Sequence, residues 1–139
     1  MSVSQIDVIS VVDDDDSVRE AIESLLKSVG YGVELWASAE AFLNLGSQQE
    51  MACLILDVQM PGMSGLELQC RLVASNRSIP IIFISAHSDE NARARALAAG
   101  AIAFLQKPFS EEALLDAINA CLATGRGGTD DGTEPEPPV

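Results

Sequence analysis

Three carboxylates, one hydroxyl and one ammonium stand directly after four apolar runs of this chain. Asp13 and Asp14 follow Val8–Val12, Asp57 follows Leu54–Leu56, Ser85 follows Ile81–Ile84, and Gln106, Lys107 and Pro108 follow Ile102–Leu105. In an open parallel sheet, ligands bind beyond the carboxyl ends of the strands. If the runs are such strands, all five groups meet at one rim. Two carboxylates about 4 Å apart repel by roughly 4 kcal/mol at an effective dielectric of about 20. Three stay ionised together only around a cation; otherwise one retains a proton. Oxygen donors of this kind favour Mg²⁺ or Ca²⁺ over zinc, and Mg²⁺ on one or two carboxylates is the usual arrangement for handling phosphate. Lys107 is placed to neutralise a phosphoryl oxygen and Ser85 to donate to another. An aspartate in that cage can act as a nucleophile and form an acyl phosphate.

Each residue alone has a plainer reading. Asp57 would be an ordinary loop acid and Lys107 an ordinary surface lysine. In the run Asp13–Asp16, Asp15 and Asp16 read as a solvated helix start, where the dipole favours acids. Asp13 and Asp14 abut the strand and fit that reading less well.

The elements that must position these groups are legible in outline. The four runs are continuous rather than alternating, as expected of strands covered on both faces. A weaker fifth, Val33–Trp36, reads as an edge or less buried strand. Helical patterns lie between them. Val18, Ile22, Leu25, Leu26 and Val29 recur at helical spacing before a stop at Gly30. Ser17 with Glu20, and Ser64 with Glu67, have capping-box spacing. Leu66, Cys70 and Val73 form an apolar stripe, Arg93–Ala99 is alanine-rich, and Glu111–Leu122 carries Leu114, Leu115, Ile118 and Leu122. Strand then helix, five times over, predicts a doubly wound α/β fold with a five-stranded parallel sheet between helices.

The chain has 139 residues, 47% of them hydrophobic and 4% aromatic, enough for one aliphatic core. The expected division is one domain over residues 1–124 and a disordered Gly-, Pro- and acid-rich tail over 125–139. No apolar run approaches the roughly 20 residues needed to cross a bilayer, and the start does not read as a signal peptide. The expectation is a cytoplasmic protein without membrane contact. Cys53, Cys70 and Cys121 share no CxxC spacing and sit in apolar stretches, so buried reduced thiols are expected. The net charge is −13, of which Asp130, Asp131, Glu134 and Glu136 supply −4, leaving −9 for residues 1–128. A surface so acidic argues against nucleic acid as a direct partner, since phosphate backbones need Lys and Arg.

From Ile6 to Leu122 the chain resembles the receiver domain of bacterial two-component response regulators. The motifs that carry the likeness are Val11-Val12-Asp13-Asp14, Leu56-Asp57-Val58-Gln59-Met60-Pro61-Gly62-Met63-Ser64-Gly65, Ile84-Ser85-Ala86 and Lys107-Pro108-Phe109. Together, in this order and spacing, they are very specific. The resemblance implies a flavodoxin-like, CheY-like (βα)5 three-layer sandwich. It implies that Asp57 accepts phosphate from a sensor histidine kinase. Asp14, Asp57 and the backbone carbonyl of Gln59 would bind Mg²⁺ directly, with Asp13 acting largely through water. Ser85 matches the switch hydroxyl, Phe104 the switch aromatic and Lys107 the phosphoryl contact, with a Lys107–Pro108 bond often cis. Gln59 and His87 occupy positions that tune hydrolysis of the acyl phosphate. Ser38–Leu43 and Ser85–His87 look most like receivers of regulators ending in a LuxR-type DNA-binding domain. None follows here, so the expectation is a stand-alone receiver or one cut from a longer regulator.

The function expected is a signalling module acting on an unidentified output or phosphotransfer protein, as a monomer or a phosphorylation-dependent homodimer. A dimer surface is expected over residues 88–122, where Arg93 and Arg95 would face acids of the last helix. The alternatives are a phosphohydrolase with an aspartyl nucleophile and a non-phosphorylated binding scaffold. The first typically wants an acid two residues after the nucleophile, where Gln59 stands. The complete set Asp13, Asp14, Asp57, Ser85 and Lys107 opposes the second.

Overall fold

A computed structural model describes residues 7–46, 50–87 and 89–127, with side chains described as far as residue 124. Five strands alternate with five helices: β1 Val8–Val12, α1 Asp16–Ser28, β2 Gly32–Trp36, α2 Ala39–Ala41, β3 Cys53–Asp57, α3 Gly65–Ala74, β4 Ile81–Ser85, α4 Glu90–Ala98, β5 Ala103–Gln106 and α5 Glu111–Gly127. A π-helical turn, Phe42–Gly46, continues α2. All strand pairs are parallel, in the order β2-β1-β3-β4-β5. The doubly wound sheet is therefore as expected, with β2 at one edge.

Parallel strands need right-handed crossovers, and these place helices on both faces. Alternation along each strand then sorts the aliphatic core into two layers. Ile9, Val11, Cys53, Ile55, Ile82 and Ile84 pack with Ile22, Leu26, Leu114 and Ile118 of α1 and α5. Val12, Leu54, Leu56 and Phe83 pack with Phe42, Leu68, Leu72, Ala92 and Ala96 on the opposite face. Every residue of β3 and β4 is buried. β5 is only half-buried, unlike the other three strong runs, because it is the second edge of the sheet.

Several local expectations are corrected. α1 begins before Ser17: Asp15 is the N-cap, its Oδ1 accepting from Ser17 N at 2.8 Å and Val18 N at 3.3 Å. The Ser17–Glu20 box is displaced because Asp13 Oδ1 already turns the chain by accepting from Asp15 N at 2.9 Å. Asp15→Ala is expected to cost about 1 kcal/mol, and Ser17→Ala less than about 0.5, in urea unfolding. The Ser64–Glu67 capping box does form at α3. The buried stripe of α3 is Gly65, Leu68, Gln69 and Leu72, whereas Cys70 is exposed and Val73 is 58% exposed. A run in which apolar residues occupy two faces does not say which face meets the sheet. Cys53 and Cys121 are buried as expected. α5 stays helical through Gly127, three residues into the segment expected as tail. Extending an existing helix costs far less than nucleating one, so a glycine alone does not stop it. Residues 128–139 lie outside the described residues. No helix among the described residues is long and apolar enough to cross a membrane.

Candidate functional site

The strand order reverses at β1, which lies between β2 and β3, and a crevice opens there beyond the carboxyl ends. Asp13 leaves β1 and Asp57 ends β3 beside it, since Val12 and Leu56 are register partners. A cleft of about 510 Å³ is lined by Asp13, Asp14, Asp15, Asp57, Gln59, Ala86, His87 and Lys107. The carboxylates of Asp13, Asp14 and Asp57 present oxygens within 4.8 Å of one another. Asp13 is fully buried, Asp57 is 5% exposed and Asp14 is exposed. Lys107 Nζ lies 3.0 Å from Asp13 Oδ2 and 3.8 Å from Asp57 Oδ2. The Lys107–Pro108 bond is cis.

Alternation also separates the site from its neighbours. Continuing β1, β3 and β5, Asp13, Asp57 and Lys107 share the side of the sheet covered by α1 and α5. Ser85 continues the series Ile81 and Phe83, on the side of α3 and α4. Its hydroxyl donates to His87 O at 3.0 Å and accepts from His87 N at 3.1 Å. The Ser85 proton is thus committed to the β4–α4 loop in this state. Phe104 is half-buried on the same face, its ring 6.2 Å from that of Phe83, and its carbonyl accepts from Arg93 Nη1 at 3.3 Å. His87, Asp89, Glu90, Arg93, Phe104 and Gln106 surround a small cavity of about 60 Å³. Arg93 thus reaches the β5 backbone; among the described residues, neither it nor Arg95 pairs with an acid of α5.

Two positioning features were not legible beforehand. Arg19 Nη1 donates to Asp13 O at 2.6 Å, and its other nitrogen pairs with Asp16, so α1 grips the loop that presents the acids. Gly65 packs against the backbone of Asp57, and a Cβ there would collide with the Asp57 carbonyl oxygen. Gly65 N also donates to Val58 O at 2.9 Å, closing the β3–α3 loop.

Burial raises the Asp57 carboxyl from an ordinary 3.8 to about 7, and the negative charges of Asp13 and Asp14 push the same way. Lys107 and the backbone N–H of Gln59 oppose this. A folded-state value above the unfolded one means that ionising Asp57 destabilises the fold. That stability is present below pH 4 and is lost as pH rises toward 7. The full difference corresponds to about 4 kcal/mol; solvent in the open cleft reduces the expectation to about 2 kcal/mol. Asp57→Asn is therefore expected to exceed the parent in stability by about 2 kcal/mol at pH 8 without divalent cations. Urea unfolding should show this gap closing toward pH 4, and closing at pH 8 when Mg²⁺ is added.

A doubly wound sheet with an acidic cleft at its switch point, faced by a single lysine, defines a CheY-like α/β domain. The chain belongs to the response regulator receiver domain family, whose model matches residues 9–119. It is 52% identical over 115 residues to the response regulator protein TmoT of Ectopseudomonas mendocina, covering 83% of this chain and 52% of that protein. Among solved structures, the response regulator StyR superposes with a TM-score of 0.81 at 50% identity, over 88% of this chain and 62% of that one. The structure titled FixJ-N superposes with a TM-score of 0.79 at 34% identity, over 86% of this chain and 95% of that one. The chain spans about half the length of the curated relatives it matches.

Proposed function

We propose that Asp57 is the phosphoacceptor of this receiver domain and takes its phosphoryl group from the phosphohistidine of a sensor kinase. The observation that carries this reading is the placement of a nearly buried Asp57 between two further carboxylates and Lys107 in one cleft. An Asp57 carboxylate oxygen attacks phosphorus, the O–P bond forms as the N–P bond to imidazole breaks, and imidazole leaves. Asp13 holds Lys107 at the cleft wall, where its ammonium offsets charge on a phosphoryl oxygen.

The residues present fit a divalent cation, because three crowded carboxylates share one ammonium and every donor is a hard oxygen. Asp14, Asp57 and the Gln59 carbonyl would hold Mg²⁺, with Asp13 acting through water. The cation would supply positive charge against the transferring phosphoryl group.

The product acts as a signal through Ser85 and Phe104. A phosphoryl group brings up to two negative charges and three acceptors. Drawing the Ser85 hydroxyl to it breaks the hydrogen bond to His87 O, releasing the β4–α4 loop and the space beside Phe104. The surface so altered lies on α4 and β5, where a protein partner or a second copy of the chain would read it. His87, with its backbone on Ser85, and Gln59 line the cleft at positions suited to tuning hydrolysis. Acetyl phosphate with Mg²⁺ is expected to add the mass of one phosphoryl group to the intact protein. A chain left unmodified by it and by histidine kinases would defeat the reading, and rapid turnover of small phosphate esters would replace it with a phosphohydrolase.

A further inference from the structure

Glu40 lies outside the cleft, yet it is fastened to the loop that closes the cleft's floor. α2 is only three residues long and is started by Ser38, whose Oγ accepts from Ala41 N at 3.0 Å. That cap aims Glu40 at the β3–α3 loop, where Oε2 accepts from Met63 N at 2.9 Å. Gly62 holds a φ of +78°, and a Cβ there would sit 2.5 Å from the same oxygen. Only glycine allows both the left-handed turn and the close approach of the carboxylate. The Met63 N–H holds the Glu40 carboxyl below its ordinary range. The base of the loop is anchored by Val58 N on Ile84 O at 3.0 Å and Gly65 N on Val58 O at 2.9 Å. Met60 is buried in the same core layer as Ala39 and Phe42, while Gln59 is exposed at the cleft.

We infer that Glu40 is a positioning residue: by holding Met63 N it fixes the tip of the β3–α3 loop and so the direction of the Gln59 carbonyl. The inference rests on the proposed reading that this carbonyl takes part in cation binding. Glu40 acts through the loop and does not touch the cation. A mere contribution of its negative charge is the competing account, and the two differ in what Glu40→Gln does. The glutamine amide oxygen still accepts from Met63 N, but carries no charge.

The test titrates Mg²⁺ alone into the full chain by calorimetry, with amide exchange at Met63 followed by NMR. Glu40→Ala should weaken Mg²⁺ binding by roughly tenfold, the low end for groups that orient a metal ligand. Met63 exchange should quicken, with the metal-free unfolding midpoint little changed. Glu40→Gln should stay within roughly twofold of the parent in affinity. An unchanged affinity in Glu40→Ala overturns the inference, as does a Glu40→Gln loss equal to that of Glu40→Ala. Asp14→Ala serves as the control. If the parent binds no Mg²⁺, or Asp14→Ala binds it as well, the cation site itself is wrong and the role of Glu40 goes with it.

Discussion

Asp57→Asn is expected to abolish phosphoryl incorporation from acetyl phosphate with Mg²⁺, by more than roughly a hundredfold, while the fold is retained. The substitution removes the nucleophilic oxygen and keeps the shape of the side chain. It relieves burial of a charge at a residue 5% exposed, so loss of folding is not a competing explanation. Intact-mass spectrometry gives the incorporation, and denaturant unfolding of the same sample gives the stability. Asp13 and Asp14 remain in Asp57→Asn, so any adduct still formed there would locate the acceptor at one of them. A parent-like yield would remove Asp57 from the role proposed for it.

Lys107→Met should cost about 3 kcal/mol of stability at pH 8 without divalent cations. The ammonium sits 3.0 Å from Asp13, a carboxylate with no solvent exposure, and 3.8 Å from Asp57. Methionine keeps the apolar stem and deletes the charge, leaving buried carboxylates with no adjacent cation. Breaking such a pair by removing one partner typically costs about 3 to 5 kcal/mol, and the open cleft places this case at the low end. The cost should shrink as pH falls through about 7, because the Asp57 carboxyl then takes up a proton and one buried negative charge is lost. It should also shrink in the Asp57→Asn background, which already has one carboxylate fewer. Equal stability of Lys107→Met and parent at pH 8 would mean that water, rather than Lys107, compensates Asp13.

Under the proposed reading, acceptor and switch stand on opposite sides of the sheet, and this separation would give the domain a route for its signal. Asp57 and Lys107 stand on the α1–α5 side, and Ser85 and Phe104 on the side of α3 and α4. The link is the carboxyl end of β4, where Ser85 Oγ exchanges hydrogen bonds with the His87 backbone. Ser85 is the last residue of β4, so in the proposed switch its hydroxyl and the loop beyond would move while its backbone stays in the sheet. α4 itself begins at an Asp89 cap and is alanine-rich, with Ala92 and Ala96 as its buried residues. A helix held by two small side chains shifts at lower cost than one anchored by leucines.

The sequence by itself determined the strands and which polar groups stand at their ends. Continuous apolar runs in parallel sheets are buried on both faces, so Val8–Val12, Leu54–Leu56 and Ile81–Ile84 announced themselves without any partner in view. Because connections place ligand groups at the carboxyl ends, Asp13, Asp14, Asp57, Ser85 and Lys107 followed from reading one or two residues further. The Ser64–Glu67 cap was legible because its two hydrogen bonds are local. Tertiary structure decided the rest. Both Leu66-Cys70-Val73 and Leu68-Leu72 are at helical spacing on α3, and only the sheet beneath selects the second. Asp15 displaced Ser17 as a cap because Asp13 had already turned the chain. The side of the sheet on which each end group stands, and the 23-residue reach from Glu40 to Met63, depend on strand order and register. Long-range pairings of this sort leave no periodic trace, since neither partner's neighbours in the chain record who will stand opposite.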